Sequence, residues 1–165
     1  MRKQSKRQSG FFLVEVVVAS ALIGGVLILL LSLIQDTVEV SQRSLERTQA
    51  SYLLEEGVEG VKTIRDQNTI DTDKWPSIGG LLNDTTYYLA WNGTIWSLST
   101  TPSKVDAFTR TITFNAVSRN ASDDIVTSGG TVDTRTRKVT VLVTWNAPSG
   151  VQTESIAFYI TDIRT

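Results

Sequence analysis

The sequence predicts an α+β protein: one long N-terminal α-helix laid on a C-terminal antiparallel β-sheet of four to five strands. Three observations predict it. Residues 11–34 form a 24-residue apolar run interrupted by a single charge, Glu15. Residues 35–67 lack proline and place apolar residues at helical spacing. Beyond residue 68 the hydrophobic period changes from near 3.6 to 2, with turn residues between the runs.

The first segment, FFLVEVVVASALIGGVLILLLSLI, would rise about 36 Å as a helix, enough for a hydrocarbon core of about 30 Å. Arg2, Lys3, Lys6 and Arg7 precede it with no acid among them, which favours a cytoplasmic N-terminus. Ala19-Ser20-Ala21 has the look of a secretory cleavage signature. A cut there would leave LIGGVLILLLSLI on the mature chain, and the apolar part before it would hold a glutamate, unlike a signal h-region. An ordinary single-pass anchor accounts for every feature except Glu15. A charge at mid-bilayer costs about 2.5–3.5 kcal/mol on insertion scales, so the carboxylate calls for a partner.

The helical pattern runs on through 35–67. Val38, Leu45 and Tyr52 are one heptad apart, and Leu54, Val58, Val61 and Ile64 continue a stripe expected to face the sheet. Glu39 and Arg43 form an i,i+4 pair in the favoured orientation. Gly57 and Gly60 weaken a helix by about 1 kcal/mol each, or let another element approach closely. Asn68-Thr69-Ile70-Asp71 ends the pattern. A helix from Phe11 to Gln67 would be about 85 Å long. The expected division is therefore 1–10 a basic leader, 11–34 a membrane or bundle-core helix, 35–67 its amphipathic continuation, and 68–165 a β domain.

In that domain TTYYLAW (85–91) and TIWSLST (94–100) flank Asn92-Gly93, the signal for a two-residue type I′ hairpin. AFTRTITFNAV (107–117) puts Phe108, Ile112, Phe114 and Ala116 on one face, with Arg110 interrupting it near an edge. RKVTVLVTW (137–145) alternates Val139, Val141, Val143 and Trp145 against threonines and Leu142. Pro148-Ser149-Gly150 turns the chain into VQTESIAFYITDI (151–163), with Ile156, Phe158 and Ile160 on one side. SRNASDD and TSGGTVDT have loop chemistry.

Composition removes several function classes. The chain carries −1, and without the four leading basic residues 12 Lys and Arg face 17 Asp and Glu, so residues 11–165 carry −5. No basic patch for nucleic acid remains, and a nucleic-acid role is left unknown. With no Cys and no His there is no disulfide framework, thiolate metal site, Ser-His-Asp triad or Cys-His pair. No P-loop is present. An enzyme is not expected.

Gly10, Phe11 and then LVEVVVA, with Glu15 fifth after the glycine and a short basic leader before it, resemble the class III signal of type IV pilins and pseudopilins. The resemblance implies the pilin fold. It implies cleavage between Gly10 and Phe11 by a membrane prepilin peptidase, and N-methylation of Phe11. It also implies that Glu15 meets the new terminal amine of a neighbouring subunit and so sets register. The C-terminal pattern FTRTITF…KVTVLVTW…ESIAFYI is most similar to the minor-pilin and pseudopilin branch. Ser20 with Gly24, and Ala21 with Gly25, form small-xxx-small pairs suited to close helix packing in lipid. The implied partners are the peptidase, other pilin or pseudopilin subunits, a membrane platform with its ATPase, and the bilayer. The implied location is the inner membrane for the precursor and a periplasmic or extracellular filament after assembly. Three departures stand out. Phe12 occupies the position where the family pattern has Thr. Proline, frequent in the family's long helix, is missing from 11–75. The paired cysteines that staple many Gram-negative major pilins are absent.

No cofactor is expected. Asp71 and Asp73 are the only calcium candidates, and their spacing breaks at Trp75 without the glycine or terminal acid of an EF-hand. Asn83, Asn92 and Asn120 open N-x-S/T sequons, with Asn92 better explained by its turn. Trp91 and Trp96 flank one hairpin, where a cross-strand pair is expected rather than a ligand patch. The alternative to a filament subunit is a single-pass, membrane-anchored extracytoplasmic binding module that does not polymerise.

Overall fold

The computed structural model describes residues 8–67, 78, 81 and 83–162. The expected helix end at 68–71, the aspartates Asp71 and Asp73, Trp75 and most of the basic leader lie outside them. Helix α1 runs Gln8–Gln67 without a break, with Arg65 in its last turn favourably placed against the helix dipole. Six strands follow: β1 (Tyr88–Trp91), β2 (Trp96–Ser99), β3 (Phe108–Arg119), β4 (Ile125–Val126), β5 (Thr131–Ala147) and β6 (Gly150–Thr161). The class is α+β, a long apolar N-terminal helix followed by antiparallel sheets. The chain divides between Leu45 and Glu46 into two compact units.

In the unit that begins at Glu46, a four-stranded antiparallel sheet in the order β4-β3-β5-β6 packs on the second part of α1. The inward positions are those that period-2 alternation selects: Phe108, Ile112 and Phe114 from β3, and Val139, Val141, Val143 and Trp145 from β5 are all buried. From the helix come Ala50, Leu54, Val61 and Ile64. Each large side chain buried here contributes about 1.5–3 kcal/mol of transfer free energy. Close approach is what Gly57 and Gly60 permit. A β-carbon at Gly57 would lie 2.7 Å from Val141 Cγ1 and 3.1 Å from Arg110 Cδ, and one at Gly60 would overlap Leu89 Cδ2.

Several expectations are corrected. Tyr52 is 66% exposed and Val38 and Leu45 also face outward, so they do not extend the inward stripe. Tyr52 and Leu54 are about 160° apart around the helix, too far for one face. The Asn92-Gly93 hairpin closes as a separate two-stranded sheet with a four-residue loop that pairs Trp91 with Trp96. Asn92 Oδ1 accepts the N–H groups of Thr94 (3.0 Å) and Ile95 (2.9 Å), and only Gly93 takes positive φ. A side-chain-capped turn therefore replaces the two-residue type I′ loop.

At the end of β3 the register with β5 shifts between Ala116 and Val117, and the alternation breaks there: Ala116 is exposed and Val117 buried. Strand β4 lies between the two stretches with loop chemistry, which themselves contain the last residues of β3 and the first residues of β5. Gly130, at φ +77, lies so close to the Arg119 carbonyl that a β-carbon would collide with it. Strand β6 is the sheet's edge, so Ile156 is 42% exposed and only Ile160 of its expected trio is fully buried.

Candidate functional site

Two sets of side chains stand out, one in each unit. The first is the start of α1. Phe11 is 79% exposed, and every large apolar side chain from Phe12 to Ile34 is likewise open. The helix is long and apolar enough to cross a membrane, and none of its most apolar stretch is buried inside the protein. Such a surface has no favourable solvent in water and needs lipid or other helices around it. Gly10 and Phe11, the expected cleavage site, lie in the first turns of α1. Glu15 sits one turn beyond Phe11, exposed, and among the described residues it has no ion-pair or hydrogen-bond partner.

Ser20 turns its hydroxyl back to the Val17 carbonyl at 2.9 Å, so its polarity is satisfied within the helix. A β-carbon at Gly24 or Gly25 would meet nothing within 4 Å. At about 100° per residue, Gly24 lies on the side of the helix opposite Glu15, and Ser20 about 140° from it. The helix thus carries a carboxylate on one side and small residues on another.

The second set is polar and belongs to the globular unit. Arg110 stands on the inward face of β3 and is only 4% exposed, not at an open edge as expected. Its Nη1 reaches the Glu56 carboxylate at 2.9 Å and donates to the Leu53 carbonyl at 3.3 Å. Its Cζ lies 5.9 Å from the centroid of the Trp96 ring, while its Nε is buried without a hydrogen-bond partner. Trp96 in turn packs on Trp91 at a centroid distance of 5.1 Å, the cross-strand pair that the hairpin predicted. Trp145 Nε1 donates to Glu46 Oε2 at 3.0 Å, tying β5 to the helix.

Arg119 near the end of β3 donates from Nε to Asp133 at 2.8 Å and from Nη1 to the Asp123 carbonyl at 2.7 Å. Burial raises the Asp133 carboxyl. Hydrogen bonds from Thr136, Arg119 and the Arg135 backbone, with the Arg119 charge, outweigh that and hold it at about 2, below its ordinary 3.8. The Arg119 guanidinium is raised, first by its hydrogen bond to Asp133, against a lowering by burial.

Sequence reasoning missed these three polar ties. The one signal was Arg110 at an apolar position in β3; nothing in the spacing of Glu46, Glu56 or Asp133 named their partners. The sequon asparagines are structural: Asn83 Oδ1 accepts from Arg137 at 2.6 Å and from the Ala116 N–H at 3.0 Å, and Asn120 caps its own turn. Comparison with known protein families, with curated proteins and with solved structures finds no match to this chain.

Proposed function

We propose that the chain is a non-enzymatic structural subunit, a minor pilin or pseudopilin, of a type IV pilus-like or type II secretion-like filament. The observation that carries this reading is an exposed apolar helix bearing one unpartnered carboxylate, Glu15, one turn from the Gly10–Phe11 bond. Cleavage there by a prepilin peptidase would free an α-amino group at Phe11. Each subunit would then bring one cation and one anion to the same depth of the bundle. Neither charge is stable alone in a low-dielectric surrounding; paired across two copies, they fix the axial stagger between them. Local pairing within one helix satisfies the charges without setting any stagger. The positions of Glu15 and Gly24 on opposite sides of the helix suit a subunit with several neighbours, as in a polymer, better than a dimer with one seam.

In this account the leader stays in the cytoplasm, the precursor crosses the inner membrane once, and a platform with its ATPase extracts processed subunits into the filament. The carboxylates Glu46, Glu56 and Asp133 of the globular unit are engaged by Trp145, Arg110 and Arg119 within the fold, which suits a structural role. The rival reading, a tethered module that never polymerises, leaves Glu15 without a purpose. Glu15→Ala separates the two. We expect it to insert in the membrane at wild-type levels and to be lost from filaments; incorporation at the wild-type level would remove the register role.

A further inference from the structure

We propose that the solvent-facing side of the four-stranded sheet binds a neutral polysaccharide through an array of threonine hydroxyls, a property independent of how the helix assembles. The strand register builds the array. Thr109 of β3 faces Thr144 of β5, which faces Thr153 of β6; two residues along, Thr111, Leu142 and Ser155 form the next row, and Thr113, Thr140 and Ala157 the third. These side chains alternate with the buried set, and all are half-buried or exposed. Among the described residues no side-chain hydrogen bond engages the hydroxyls of the six threonines.

Neighbouring rows are about 6.6–6.8 Å apart and neighbouring strands about 4.8 Å, so donors and acceptors recur on a regular grid. No charge falls within the three rows, although residues 11–165 carry 12 basic and 17 acidic side chains. Exposed sheet faces ordinarily intersperse both signs, and edge strands are commonly guarded by charge. A ligand that is itself neutral favours this arrangement, because a charge desolvated against it would go uncompensated.

Size and chemistry choose the occupant. The array covers about 13 Å along the strands and about 10 Å across them, on the order of 130 Å². A stable protein–protein interface needs about 800 Å² from each partner. A dry contact with a second sheet would also bury seven hydroxyls, Ser155 included, with no partners to receive them. An extended chain of sugar rings matches both limits, offering hydroxyls to the threonine oxygens and C–H faces to their methyls. Tyr159, 51% exposed beside Lys138 at the end of the array, supplies a ring for a sugar to stack on.

The test is retention of the detergent-solubilised full chain on microcrystalline cellulose and on chitin particles, with anionic alginate beads as the contrast. Wild type is expected to be retained on at least one neutral polymer and not on alginate. The isosteric pair Thr111→Val with Thr140→Val should weaken retention about tenfold, two hydroxyls being lost. Thr140→Lys should weaken it further, while Ser122→Lys in the β3–β4 loop should leave it unchanged. Absence of retention on both neutral polymers overturns the proposal, as does retention that the valine pair leaves intact. Concentration-dependent dimers abolished by Thr140→Lys would overturn it too, by assigning the face to a second copy.

Discussion

Arg110 shows how a single buried charge can be held without contributing much stability. Its guanidinium is 4% exposed, yet its partner Glu56 is 44% exposed on the side chain and Nε has no acceptor. Removing the carboxylate leaves the cation buried and unpaired, whereas replacing the cation with an apolar chain of similar volume removes the burial cost altogether. We expect Glu56→Ala to destabilise the globular unit by about 2–3 kcal/mol and Arg110→Met to change it by less than about 1 kcal/mol. Urea denaturation in detergent checks both, and the reverse order would refute this account of the pair. Asp133 makes a pH prediction. Its folded carboxyl lies at about 2 against an ordinary 3.8. Its contribution is therefore complete above about pH 3.8 and is lost as the pH falls toward about 2. Denaturation midpoints measured from about pH 5 downward should fall less steeply for Asp133→Asn than for wild type.

At the level of elements, α1 carries two kinds of glycine. Gly57 and Gly60 sit where Val141, Arg110 and Leu89 leave no room, so Gly57→Ala and Gly60→Ala should each cost about 1–3 kcal/mol by overpacking despite a better helix propensity. Gly24 and Gly25 have open space beside them, so alanine there should raise helix stability by about 1 kcal/mol each. Circular dichroism and thermal melts of the four single variants distinguish the pairs; a common sign for all four would contradict the packing. The sequence announced the close approach at 57 and 60 because a weak helix former persisted inside an apolar stripe. Periodicity likewise made β3 legible as far as Phe114 and β5 legible over 137–145, since one face of each is buried. Legibility failed where side chains rather than period decide. The Asn92 cap and the Trp91–Trp96 stack lengthened the hairpin loop, and the irregular register after Ala116 exchanged which residue is buried. Strand β4, two residues long, is too short to leave a period.

For the whole molecule, the residues on which the proposed function rests were plainer in the sequence than those that hold the fold. Glu15, Ser20, Ala21, Gly24 and Gly25 stand out because an apolar run makes any exception conspicuous, while the assembly role of Glu15 is what the family resemblance implies. The polar ties Glu46–Trp145, Glu56–Arg110 and Arg119–Asp133 join residues far apart in the chain and have no local pattern. The central claim concerns the N-terminal segment: it becomes an assembly element only when the bond after Gly10 is cut. Mass spectrometry of the protein recovered from cells, in membranes and in filaments, tests it most directly. A chain that begins at N-methylated Phe11 is the predicted result, and a chain that still begins at Met1 in the filament fraction would contradict it.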